Sequence, residues 1–224
     1  MQDTTAASLL PPARPSRSSA DYGQSQCRAC ALAATRTRLV LPSGRRDAPL
    51  FVLEETPTPL QKDTARRSTP RLSACKPFSA FLSERGIAEG TYSHGYCCAC
   101  DTPNNRRPTR SEVASCSRWL ALNFASQYNP HLVLAVGAVA AAMFYTGNTL
   151  TSAIERARVL GYRPDIQLAT DITFYVVPIP QIGSLSYHRR SIDQKPWTEI
   201  AEEQISIAMV LLSNKQPHPH PHPI

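Results

Sequence analysis

Four short segments of strand length, set between segments of helical period, limit what this chain can fold into more than any other feature. LFVLEE (50–55) lies between Pro49 and Pro57, and YSHGYCCA (92–99), HLVLAVG (131–137) and TFYVVPIP (173–180) follow it. Runs of this length and composition read as buried strands. KPFSAFLSERGI (76–87) places Phe78, Phe81 and Leu82 on one helical face, with Gly86 as a stop. SEVASCSRWLALNFASQY (111–128) and AVAAAMFYTG (138–147) carry the next helices, the second closed by Gly147, and residues 196–214 carry the last, with Pro196 in its first turn. Strands that alternate with helices predict parallel βαβ units with helices on both sheet faces. In such α/β sheets ligands sit beyond the carboxyl ends of the strands. The places to search are therefore just after Leu53, Cys100, Val136 and Val177.

The chain has 224 residues, of which 42% are hydrophobic, enough for one domain with its own core. Residues 1–25 are rich in Pro, Ser and Arg and read as a flexible extension, and 215–224 read as a Pro/His low-complexity tail. Residues 26–214 are left as the folded domain. No apolar run reaches the roughly 18 residues of a membrane span. Leu9 and Leu10 are followed at once by prolines, so no secretory h-region is expected and an intracellular, soluble setting is. The formal net charge of +7 points to a polyanionic partner, usually nucleic acid; the plain alternative is a solvated basic surface.

Seven cysteines without a secretion signal favour a metal site over a disulfide framework. Cys27 and Cys30 form a CxxC pair. Cys100 at a strand end and Cys116 in the following helix are neighbours in a βα unit, so the four thiolates can converge. Such a set suits either one zinc ion or a [4Fe–4S] cluster, and spacing does not separate the two. Cys75, Cys97 and Cys98 read as small apolar core residues.

The order CxxC and then CxxPxNRxPxxxExxxC resembles the iron–sulfur branch of the uracil-DNA glycosylase superfamily, families 4 and 5. The residues that carry it are Cys27, Cys30, Cys100, Pro103, Asn105, Arg106, Pro108, Glu112 and Cys116. NPHLVLAVGAVAAAMF (129–144) resembles that family's next block, and IPQIGSLS (179–186) its terminal loop, usually LPHPSPLS. The resemblance implies a three-layer α/β sandwich with a central four-stranded parallel sheet. It also implies a structural [4Fe–4S] cluster on Cys27, Cys30, Cys100 and Cys116, and DNA as the partner.

The same comparison shows losses. Base excision requires an extruded nucleotide, a close backbone approach, a stacking ring, a base-reading amide and a donor to the leaving base. Where the family has GEAPG this chain has LEETP (53–57): Glu54 stands at the acidic position and both glycines are gone. The stretch aligned with GxPFVGxAG, residues 68–75, has neither Phe nor Gly. The base-reading Asn aligns near Tyr96, and the loop His aligns with Gln181. Loss of one such donor commonly costs about 10²–10³ in rate. Glu54 and Gln181 are the remaining catalytic candidates, with His188 as a replacement donor.

Arg106, Arg107, Arg189 and Arg190 follow strand ends and are expected phosphate contacts; His188 lies beside them, and Tyr187 can stack on a base. Two functions follow. One is a non-enzymatic member that binds nucleic acid as a structural or accessory subunit, with protein partners in a larger assembly. The other is a divergent glycosylase acting on uracil or another damaged base.

Overall fold

The structure, a computed structural model, describes residues 24–57, 76–166, 168, 173–182, 191–192 and 195–214. The expectations for Cys75, for residues 68–75 and 187–190, and for the two ends of the chain lie outside the described residues.

The sheet contains β1 (Ser43–Gly44), β2 (Leu50–Glu54), β3 (Ser93–Tyr96), β4 (Leu132–Val136) and β5 (Tyr175–Ile179), in the order β1-β3-β2-β4-β5. β3, β2, β4 and β5 are mutually parallel, as the alternation of elements predicts. The sheet nevertheless has five strands where four were expected. The fifth, β1, runs antiparallel along β3 and is two residues long, too short to carry a period. It depends on Gly44, whose φ is +99° and whose Cβ, if present, would stand 2.5 Å from the Tyr92 carbonyl oxygen. Ser191–Ile192 and Lys195–Pro196 form a separate two-stranded ribbon, β6 and β7.

The helices are α1 (Leu32–Thr35), α2 (Lys76–Ser83), α3 (Arg110–Asn123), α4 (Gly137–Ala141), α5 (Leu150–Val159) and α6 (Trp197–Ser213). Three run shorter than their periodicity suggests. α2 ends at Ser83, ahead of Gly86 at φ +79°. The segment after α3 widens into a π turn, Phe124–Tyr128, closed by Asn129 in left-handed geometry. α4 has a single turn and a half, after which the chain loops to Gly147. α5 is an addition to the sequence reading. Thr149 caps it in a reciprocal box with Ser152, and Leu150, Ala153, Ile154 and Ala157 form its buried stripe.

The β2-to-β3 connection and the later connections run in opposite directions across the sheet, so right-handed crossovers would put α2 on one face and α3, α4 and α5 on the other. Arg85, just beyond α2, forks onto Glu202 of α6, so α6 shares the side of α2. The core lies between these layers. Phe51 of β2 is fully buried, edge-on to Phe124 at 4.8 Å and to Tyr128 at 5.4 Å. β5 forms one margin of the sheet. Its Val176 amide points outward and donates to the Tyr162 carbonyl at 2.8 Å, and two residues on Pro178 has no amide to offer. No helix among the described residues is long and apolar enough to cross a membrane. Strand order reverses between β2 and β4, so the ligand crevice of this fold class opens beyond Glu54 and Val136.

Candidate functional site

The cysteines converge. Cys27, Cys30, Cys100 and Cys116 line one cavity between the N-terminal arm and α3, together with Arg36 and Trp119. The sulfur atoms are met by donors: Trp119 Nε1 donates to Cys27 Sγ at 3.2 Å, and Arg36 donates to Cys100 Sγ at 3.3 Å. Burial pushes the Cys27 thiol up, but the Ala29 amide, the Trp119 indole and Arg118 outweigh it and leave the thiol below its ordinary range. Cys116 is lowered to about 7, chiefly by the hydrogen bond from Cys98, against burial, with the Ala99 amide and two arginines assisting. Burial raises Cys100 against the pull of Arg36. At Cys27 and Cys116 these are thiolate-supporting surroundings, the donor chemistry a metal centre needs. As they stand, no three His, Cys, Asp or Glu side chains among the described residues are arranged to hold a metal ion. The cysteines ring a shared space and do not yet close on a point.

Cys98 joins this group. It is buried against Leu32 and Cys100, and its thiol, pushed well up, donates to Cys116. Cys97, one residue earlier, faces the main core, where burial also raises its thiol. The two follow β3 and do not extend it, and Cys100 forms an isolated bridge with Leu39. The alternation of neighbouring side chains thus delivers Cys98 to the small cluster with Leu32, Cys100 and Cys116 and Cys97 to the sheet core.

The arm that carries CxxC is also stitched down by polar contacts. Thr37 and Arg38 amides donate to Asp101 Oδ1 at 3.0 and 2.9 Å, and the Thr37 hydroxyl reaches Oδ2 at 3.1 Å. Val40 pairs with Ala99 along the backbone, and Asn123 Nδ2 donates to Gln24 Oε1 at 3.0 Å. Asp101 is 3% exposed, so its carboxylate is committed to the arm.

The NRxP block explains how Cys116 is presented. Asn104 and Asn105 take left-handed φ values of 52° and 54°, a conformation asparagine tolerates better than most residues. This turn aims the Arg106 guanidinium at Glu112, with contacts of 2.9 and 2.6 Å. Glu112 also accepts from the Thr109 amide at 2.7 Å while Thr109 Oγ1 accepts from the Glu112 amide, a complete capping box at the start of α3. Arg106, expected at a phosphate, is thus engaged by a carboxylate six residues on. One further turn along α3 lies Cys116.

At the sheet end the two adjacent glutamates part company. Glu54 is 5% exposed and faces His94 of β3, with Oε2 3.5 Å from Nε2; the His94 ring stands edge-on to Tyr96 at 4.7 Å. Glu55 turns to the other side and enters the crevice. Its carboxylate accepts from the Val139 amide at 3.4 Å over the first turn of α4, and Arg107 Nε lies 3.8 Å away. Burial raises the Glu55 carboxyl above its usual range, against the pull of Arg107 and Val139, with Glu54 adding to the rise. Sequence reasoning singled out Glu54 and passed over Glu55, although strand alternation requires the two to face opposite ways. Gln181 follows β5, half-buried, at the same end of the sheet. Tyr187, His188, Arg189 and Arg190 lie outside the described residues.

Gly137 makes room for Glu55. It has φ +86°, and a Cβ there would stand 2.8 Å from Glu55 Oε1. Gly137→Ala is expected to destabilise the fold by roughly 1–3 kcal/mol through backbone strain alone and to displace the carboxylate. Urea unfolding of the variant alone and with Glu55→Ala checks this. The second change should relieve the collision and leave the strain.

A family model described as the uracil DNA glycosylase superfamily matches residues 63–203. The type-4 uracil-DNA glycosylase of Thermotoga maritima is 29% identical over 126 residues, 56% of this chain and 64% of that protein. This chain therefore matches a little under two thirds of that relative's length.

Proposed function

We propose that this chain, which belongs to the uracil DNA glycosylase superfamily, is a nucleic-acid-binding member that has lost base excision and serves as a structural or accessory subunit of a larger nucleic-acid assembly. Glu55 carries this reading. In the crevice where a sheet of this order takes its ligand, the chain's own carboxylate covers the start of α4 and faces Arg107. A nucleotide phosphate approaching there would meet negative charge. Tyr96 points the same way: it is buried at the end of β3, where the resemblance calls for a base-reading amide.

Cys27, Cys30, Cys100 and Cys116 would hold a [4Fe–4S] cluster, with one zinc ion as the alternative that metal analysis distinguishes. Such a cluster supplies cross-linking between the arm and the body, with no part in base chemistry. The net charge of +7 favours a polyanionic partner, and the superfamily favours DNA as that polymer.

A second reading, a divergent glycosylase, draws on one observation. Glu55 is a carboxyl with a raised proton affinity inside the crevice, beside the buried Glu54–His94 pair, and perturbed carboxyls cluster at working sites. One assay separates the two. Purified protein is offered single- and double-stranded DNA carrying uracil, hypoxanthine and other damaged bases. Salt-dependent binding without abasic-site formation is the expected result. Abasic-site formation abolished by Glu55→Gln or Glu54→Gln would overturn the non-enzymatic reading.

A further inference from the structure

Beside the crevice, on the sheet face that carries α3 and α4, runs a groove of about 690 Å³ that none of the site residues above explains. One wall is α3, which presents Ala114, Ser117 and Ala121; the facing wall is formed by Ala138, Val139 and Ala142 at and after α4. Arg107, Arg110 and Arg118 are the charged residues of the lining, and no carboxylate is found among the described lining residues. Arg110, Ala114, Ser117, Arg118 and Ala121 lie on one helical face, separated by three, four or seven positions or by adjacent turns.

These arginines are differently placed. Arg107 bridges the groove to the crevice through its 3.8 Å approach to Glu55. Arg110 is turned by a neutral partner, the Asn148 side-chain oxygen, and Arg118 lies 4.8 Å over the Trp119 ring. Neither Arg110 nor Arg118 meets a carboxylate among the described residues; Arg118 reaches Cys27 Sγ at a long 3.9 Å, and Arg110 has only a neutral partner to give up to an incoming anion. Eight residues separate them, about 12 Å along a helix, a span that several successive phosphates of one strand would cover. Guanidinium groups take phosphate oxygens in a fork, and closely set methyl walls accept the flat faces of bases.

We propose that this groove is a track for single-stranded DNA, with phosphates on Arg107, Arg110 and Arg118 and bases against the alanine walls. It rests on the nucleic-acid-binding reading above and adds to it where the strand goes. A strand barred from the crevice by Glu55 has, through Arg107, a continuous basic route into the groove. Arg118 also lies 3.9 Å from Cys27 Sγ, so strand and cysteine centre share a side chain.

The test is the binding of a fluorescent single-stranded oligonucleotide to the full chain across a salt series. Ala114 and Ala142 are exposed, so glutamate at either position adds charge without disturbing the core. Ala114→Glu and Ala142→Glu are each expected to weaken binding about tenfold or more, and Arg110→Gln to reduce the salt slope by about one. Ala142→Lys is expected to tighten binding, a gain that misfolding would not produce. If the wild type binds no single-stranded DNA, the nucleic-acid reading itself fails. If the wild type binds and all four variants match it, only the groove fails. Displacement of the oligonucleotide from the wild type, but no longer from Ala142→Glu, by an equal charge of poly-glutamate would assign the groove to an acidic polypeptide and overturn the proposal.

Discussion

Cys116→Ala is expected to abolish metal content and visible absorbance and to lower stability by on the order of 5 kcal/mol or more, a fall in Tm of roughly 10–20 °C for a chain of this size. The effect is large because Cys116 sits where three parts of the molecule meet. It lies on α3, it shares a cavity with the CxxC arm, and Cys98 and the Ala99 amide both donate to it. Hydrogen exchange should resolve the damage by region. Residues 24–35 depend on the thiol cavity and on Gln24, and they should lose protection first. Residues 37–40 are held by Asp101 and Ala99 and should stay protected. Cys97→Ala provides the contrast: it removes a small core side chain and should retain the metal at a cost of about 1 kcal/mol. Retention of iron in Cys116→Ala, measured anaerobically with the Tm, would remove that cysteine from the ligand set.

The second effect is expected from Arg106→Ala, a fall in the urea midpoint, because it leaves the nearly buried Glu112 carboxylate without the exposed guanidinium that pairs with it. Glu112→Ala removes the capping box as well, but sends a half-exposed guanidinium back to water, so it should cost somewhat less, about 2 kcal/mol. The pair also predicts an acid limb. Arg106, assisted against burial by the Thr109 amide and hydroxyl, holds Glu112 at about 2, below its ordinary 4.5. A depressed carboxyl contributes stability that is complete above its unfolded value and is lost as pH falls toward the folded one. Wild-type stability should therefore decline between pH 4.5 and about 2, with a smaller decline in Glu112→Ala. Urea unfolding across that range measures both.

That Cys27, Cys30, Cys100 and Cys116 line one cavity was legible, because a CxxC pair and a strand-to-helix pair leave few ways to meet; their role as ligands remains a proposal. The parallel sheet was legible because β2, β4 and β5 are buried on both faces and read as apolar runs, with helical segments between them. Other features were hidden for physical reasons. β1 has two residues and no period. α5 is short and half of its buried stripe is alanine, between charged neighbours, so the stripe is faint in hydropathy even though its spacing is regular. Glu54 and Glu55 are chemically identical in a sequence, and only the pleat decides which faces His94 and which enters the crevice. Cys98 is equally ambiguous beside Cys97. Arg106 looks like a phosphate ligand because arginine after a strand end often is one. That its partner is Glu112 depends on two left-handed asparagines that bend the chain back toward α3.

The outer margin formed by β5 has one last implication, for behaviour at high concentration. A bare strand flank with free amides is a template on which a second molecule can add its own strand, and chains of such additions end in fibrils. Here one such amide is already spent on Tyr162 and the next is missing because the residue is proline. At this margin contact between copies must therefore proceed through side chains, because the β5 flank offers little backbone for a further strand to pair with.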